Sequence, residues 1–301
     1  MSIPVRRREI RLPSASVSLC EWSPPAPRGL PVLLLHGGGT DSAELSWGEV
    51  APALAAAGHR VVAPDHPGFG RSARAARPFT QERLVAYVGE LVDALELDRY
   101  VIGGLSLGGG MTIGHLLDRP GSAAGAVLLG AYGFMPRLAD GPLGRLIHTG
   151  SYALVRSGLL TALTRSYARD RRGMERALRT LVRDPRSRTP ALVDAVIAEA
   201  EAGGGIDAFG EWQRDQVRFG SLRTDYTAAL PAVDAPTLLI HGELDGGVPL
   251  DRARRAASLL PRGELLTVPG AGHWVQRDRP DIVIPAMIEW LGGREDGCPA
   301  P

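Results

Sequence analysis

Short runs of Val, Ile and Leu bounded by Gly and Pro alternate with helix-period segments along most of this chain, and that alternation leaves few folds open. A strand covered by helices on both faces reads as a continuous apolar run, because neither face meets water. Strands are expected at residues 8–12, 16–22, 31–36, 60–64, 99–104, 124–131, 236–241 and 263–268, the first two as a hairpin. The reading is an α/β chain with about eight mostly parallel strands flanked by helices. Thr80 is the expected N-cap of a helix that repeats Leu84, Val85, Val88, Leu91, Val92 and Leu95 at helical spacing. Ile282 to Leu291 reads as a last amphipathic helix, and Gly292 to Pro301 as an irregular tail.

The alternation stops between residues 133 and 230. Helix-period segments follow one another there, around Leu143–Leu160, Met174–Val182 and Leu192–Ala202, with no convincing strand. About a hundred residues is too long for one crossover. The expected organisation is therefore a core of residues 1–132 and 231–301, with residues 133–230 as a helical cap inserted between two strands.

Charge and cysteine content exclude several function classes. The 34 basic and 33 acidic residues leave a net charge of +1, and stretches such as Arg169 to Arg172 read as solvated helix faces, so no nucleic acid partner is expected. No run approaches the roughly 20 apolar residues of a membrane span, and Arg6, Arg7 and Arg8 precede no apolar segment of a leader, so the expected location is cytoplasmic. Cys20 and Cys298 stand near opposite ends, which excludes a disulfide scaffold. The seven histidines lack ligand spacing and the two Cys are distant, so no metal is expected. Oligomeric state is left open.

After the strand holding Tyr100 to Gly103 comes Gly104-Leu105-Ser106-Leu107-Gly108, followed by a helical stretch from Met111 to Leu117. This is G-x-S-x-G in a strand–turn–helix context. The turn strains the serine backbone, and glycines on either side let strand and helix pass closely while the hydroxyl projects outward. The Gly-rich stretch 103–110 lacks the G-K-[ST] ending of a phosphate loop.

With these residues the chain resembles the α/β-hydrolase fold superfamily over about residues 8 to 292. Val32-Leu33-Leu34-Leu35-His36-Gly37-Gly38-Gly39 resembles the strand and loop that supply an oxyanion-hole donor. Ala63 to Ser72 is similar to the next strand and turn, Leu238 to Pro249 to the acid strand, and Pro269-Gly270-Ala271-Gly272-His273-Trp274 to the histidine loop. The order Ser106, Asp245, His273 is the one this fold uses. Of the other histidines, His59 and His148 read as surface or packing residues, His115 as core packing, and His36 and His66 as loop-orienting. His241 is read as lying along its strand. Glu243 is the rival acid, and Asp65 reads as fixing its own turn. The backbone N–H groups of Leu107 and Gly38 are the expected oxyanion hole.

The resemblance implies a cofactor-free serine hydrolase, with a small-molecule ester, thioester or lactone, mostly apolar, as substrate. Serine at the elbow rules out the carboxylate route of the family's epoxide hydrolases and haloalkane dehalogenases. Hydrolysis of a carbon–carbon bond in a vinylogous diketone is the alternative within the fold, although Thr40 and Leu105 depart from the Pro and Asn usual in those enzymes. A non-hydrolytic biosynthetic enzyme and a small-molecule receptor are the alternatives from other classes.

Overall fold

The computed structural model describes residues 3–139, 141–168, 170–202 and 204–295. Its first strands are β1 (Arg6–Arg11), β2 (Ser16–Trp22) and β3 (Val32–Leu35). Then come α1 (Ala43–Trp47), α2 (Val50–Ala56), β4 (Val61–Pro64), α3 (Gln81–Ala94), β5 (Val101–Leu105), α4 (Leu107–Asp118) and β6 (Gly125–Leu129). Five helices follow: α5 (Gly141–Ser157), α6 (Leu159–Ala168), α7 (Arg171–Leu181), α8 (Pro190–Ala202) and α9 (Gly205–Gln216). A small hairpin of β7 (Val217–Arg218) and β8 (Ser221–Leu222) leads back to β9 (Thr237–Gly242), α10 (Leu250–Leu259), β10 (Gly263–Val268), α11 (Val275–Asp278) and α12 (Pro280–Glu295).

The main sheet has eight strands in the order β1-β2-β4-β3-β5-β6-β9-β10, with β2 antiparallel to both its neighbours, β1 and β4, and every other pair parallel. Alternate residues along each inner strand supply opposite faces. Leu33, Leu35, Ile102, Ala126, Leu128 and Leu239 enter one core, and Val32, Leu34, Val101, Val127, Leu129 and Ile240 the other. Both faces are buried, which is why these strands read as unbroken apolar runs. Thr80 caps α3 by accepting the Arg83 N–H at 3.3 Å.

The structure corrects the sequence reading in three places. The segment between β6 and β9 carries a two-residue hairpin, too short to leave a period-two pattern. Two of its helices, α6 and α9, were not expected. The last helix continues through Gly292 to Glu295 rather than ending at Leu291, and the rest of the expected tail, with Cys298, lies outside the described residues. Of the two readings of His148, the structure has packing: the residue is buried, its ring bonded to the Arg218 carbonyl at 2.9 Å. Arg169 also lies outside the described residues, while Arg171 and Arg172 open α7. Among the described residues no helix is long and apolar enough to cross a membrane.

Candidate active site

Ser106 sits between β5 and α4 at φ 51° and ψ −111°. A non-glycine residue held there costs on the order of 1–3 kcal/mol, which the surrounding structure must impose. It does so through close packing. A Cβ at Gly104 would lie 2.2 Å from the Gly108 carbonyl carbon, and one at Gly108 would lie 2.3 Å from the Leu35 carbonyl oxygen. The Ser106 N–H donates to Leu129 O at 2.9 Å, and its carbonyl accepts from Gly110 and Tyr132. The glycines of the motif thus wedge the elbow between β3 and the start of α4.

His273 lies in the loop between β10 and α11, and its Nδ1 is 2.9 Å from Asp245 Oδ2 and 3.0 Å from Oδ1. Asp245 follows β9, its side chain wholly buried. Its Oδ1 also accepts the backbone N–H groups of Gly247 at 2.7 Å and Val248 at 2.9 Å. Burial pushes this carboxyl up, but the hydrogen bond and charge of His273, with His241 and the Val248 N–H, outweigh it and hold it below the ordinary carboxylate range. Glu243 is exposed, and its carboxylate accepts the Gly270 N–H at 2.9 Å. The geometry therefore pairs the imidazole with Asp245 and leaves Glu243 bracing the histidine loop.

The other histidines are accounted for by burial. His36 is pushed down to about 3 and His115 to about 4, chiefly by desolvation, and His66 and His241 are lowered for the same reason. His36 Nε2 accepts the His66 N–H at 3.0 Å, and His115 meets the Tyr100 hydroxyl at 2.6 Å. The reading of His241 is corrected: its Nε2 turns towards the acid loop, 2.9 Å from Val248 O and 3.4 Å from Asp245 Oδ2. It braces the turn that presents Asp245. Cys20 is buried in β2, its thiol pushed up to about 12 by burial, so it is not a poised nucleophile.

Gly38 and Leu107 donate no backbone hydrogen bond to another described residue, and both flank the elbow. Asp41 holds the glycine loop in place, accepting from Gly37 N–H at 2.8 Å, Ser46 Oγ at 2.7 Å and Ser42 N–H at 2.8 Å. Burial pushes its carboxyl up to about 7 against these bonds. Ser106, His273 and the loop Gly37 to Thr40 line one cavity of about 320 Å³.

Three contributions escaped the sequence reading. Gly130, at φ 47°, lies under the imidazole: a Cβ there would stand 3.1 Å from His273 O and 3.2 Å from both His273 Nδ1 and Asp245 Oδ2. Its place directly after a buried strand was the available signal. Phe209 of α9 covers Gly38 so closely that a Cβ at that glycine would be 2.2 Å from its ring. Asp278, buried, accepts from Gly272 N–H at 2.6 Å and from the Arg183 and Asp184 N–H groups at 2.7 Å each, while Trp274 N–H donates to Leu181 O at 2.9 Å. The segment after α7 is thereby tied to the histidine loop. Gly130→Ala is expected to cost about 1–2 kcal/mol in a urea midpoint for its left-handed backbone, and to lower kcat by about 10-fold or more by displacing the His273–Asp245 pair. Unchanged kcat would mean that the pair tolerates the methyl group.

The α/β hydrolase fold family model matches residues 31–280. A 2-hydroxy-6-oxo-6-(2'-aminophenyl)hexa-2,4-dienoic acid hydrolase of Metapseudomonas resinovorans is 28% identical, covering 90% of this chain and 87% of its own. Epoxide hydrolase A of Mycobacterium tuberculosis is 30% identical, covering 89% of this chain and 92% of its own. The crystal structure of a meta-cleavage product hydrolase from Pseudomonas fluorescens IP01 superposes with a TM-score of 0.76 at 24% identity, covering 97% of this chain and 98% of that one. With the matched span running from β3 to the start of α12, and with the strand order and elbow described above, the chain belongs to the α/β-hydrolase fold family, as an enzyme.

Proposed function

We propose that this enzyme is a serine hydrolase that cleaves an ester, thioester or lactone of a small, mostly apolar compound through an acyl-enzyme on Ser106. The observation that carries the reading is the meeting of the strained Ser106 elbow with His273 in one cavity, the imidazole being held through Nδ1 by buried Asp245. Ser106 Oγ attacks the acyl carbon while His273 Nε2 takes its proton. Asp245 fixes the tautomer and favours the imidazolium that forms. The oxyanion of the tetrahedral intermediate accepts hydrogen bonds from the Leu107 and Gly38 N–H groups. His273 then returns the proton to the leaving group, and water repeats the sequence on the acyl-enzyme. Residues 133–230 act as the cap over this site.

A second reading is favoured by a specific observation: the Metapseudomonas resinovorans relative is named for a dienoic acid hydrolase. In this reading the same cavity cleaves a carbon–carbon bond of a vinylogous diketone, and the dienol must first become its keto form. The carboxylate route that the resemblance implies for the family's epoxide hydrolases is not open to a chain with serine at the elbow. Stopped-flow absorbance separates the two readings. With p-nitrophenyl butyrate, turnover at a kcat/KM near or above about 10⁴ M⁻¹s⁻¹ is expected, with no spectral change on a 2-hydroxy-6-oxodienoate. A coloured keto intermediate followed by cleavage, together with negligible ester turnover, would reverse the choice.

A further inference from the structure

The cavity over Ser106 is walled on the side of the helical insertion and the histidine loop by Leu160, Leu181, Ile206, Phe209 and Trp274. Its remaining polar side chains, apart from Ser106 and His273, are the hydroxyls of Thr40, Thr161, Thr164 and Tyr167 and the amide of Gln213. All of these are neutral. No lining side chain is a guanidinium: Arg165 of α6 pairs with Asp207, Arg183 bonds the carbonyls of Leu244 and Arg179, and Arg214, next to Gln213 on α9, is exposed outside the lining. The two backbone donors beside the elbow are assigned to the acyl oxygen. A substrate carboxylate placed against this wall would lose its water and meet no cationic partner among the described residues, which is strongly disfavoured.

The wall is also braced. Phe209 stacks on Trp212 with ring centroids 5.4 Å apart and planes 14° apart, and Trp212 packs edge-on against Tyr132 at 4.9 Å. Trp212 Nε1–H donates to Gln81 Oε1 of α3 at 3.0 Å. The apolar roof over Gly38 is thus anchored through α9 into the core. A volume of about 320 Å³ is at the small end of ligand pockets, so the occupant is compact.

We propose that this cavity selects an uncharged, compact acyl substrate, with Leu160, Ile206 and Phe209 holding the acyl chain and excluding one that bears a carboxylate. The proposal rests on the serine-hydrolase reading of the same cavity and narrows its substrate class. Two p-nitrophenyl esters with the same leaving group and six-carbon acyl chains test it on the full chain: the neutral hexanoate and the anionic mono-adipate. The expected result is a kcat/KM at least about 100-fold higher for the hexanoate. Gln213→Arg, which sets a cation in the wall, is expected to narrow that ratio at least about 10-fold by raising the rate on the adipate.

Binding of both esters to Ser106→Ala, followed through the fluorescence of Trp274 in the wall, keeps the two readings apart. Hexanoate binding at least about 10-fold tighter without turnover by the wild type would overturn the serine-hydrolase reading and sustain the neutral-substrate one. An adipate bound or turned over as well as the hexanoate, or no binding of either ester, would overturn the neutral-substrate inference.

Discussion

Replacing Ser106 by alanine is expected to lower kcat on p-nitrophenyl butyrate by at least about 10³-fold while leaving the urea midpoint unchanged. The size of the loss follows from the chemistry assigned to the hydroxyl. Without Oγ there is no acyl-enzyme, and what remains is attack by water assisted only by the oxyanion donors and by binding. The lack of a stability effect follows from the geometry. Alanine keeps the Cβ, so the strain at φ 51° is the same in both proteins, and the backbone bonds to Leu129, Gly110 and Tyr132 are untouched. A folded variant retaining more than about a tenth of wild-type kcat would remove Ser106 from the mechanism.

Asp245→Asn is expected to lower kcat by about 10²–10⁴-fold. The wild-type carboxylate accepts the His273 Nδ1–H, which leaves Nε2 as the free base. An asparagine at 245 can turn its amide N–H towards Nδ1, favouring the tautomer that has its proton on Nε2, the wrong nitrogen for accepting one from serine. Held below the ordinary carboxylate range, Asp245 keeps its negative charge beside the ring. Glu243→Gln is the control. Glutamine retains an oxygen for the Gly270 N–H, and kcat is expected to change by less than about 3-fold. If the two variants exchange effects, Glu243 is the acid.

What the chain displays in its sequence divides along physical lines. Strands buried on both faces leave continuous apolar runs, and β3, β4 and β6 fall within the expected residues 31–36, 60–64 and 124–131. The glycines around Ser106 were legible because a Cβ at 104 or 108 collides with backbone, a local constraint that a short motif records. Long-range contacts leave no such trace. His241 and Asp245 are four residues apart, yet whether the ring turns towards the acid depends on the loop that carries Val248. Phe209 reaches Gly38 from α9, a helix for which the sequence shows no clear period. Asp278 acts on backbone N–H groups about ninety residues away, at Arg183 and Asp184, and nothing in its neighbours announces that role. The residues that meet around the elbow were legible, while the apolar wall of their cavity was not.

The central claim is that Ser106 is the group that becomes covalently attached. Peptide mapping by mass spectrometry after exposure to a fluorophosphonate tests it most directly, because such probes phosphonylate a serine activated by a neighbouring base. The expected result is one adduct per chain, on the peptide containing Ser106, formed more slowly in Asp245→Asn and absent in Ser106→Ala. An adduct on any other residue, or one that persists in Ser106→Ala, would contradict the assignment.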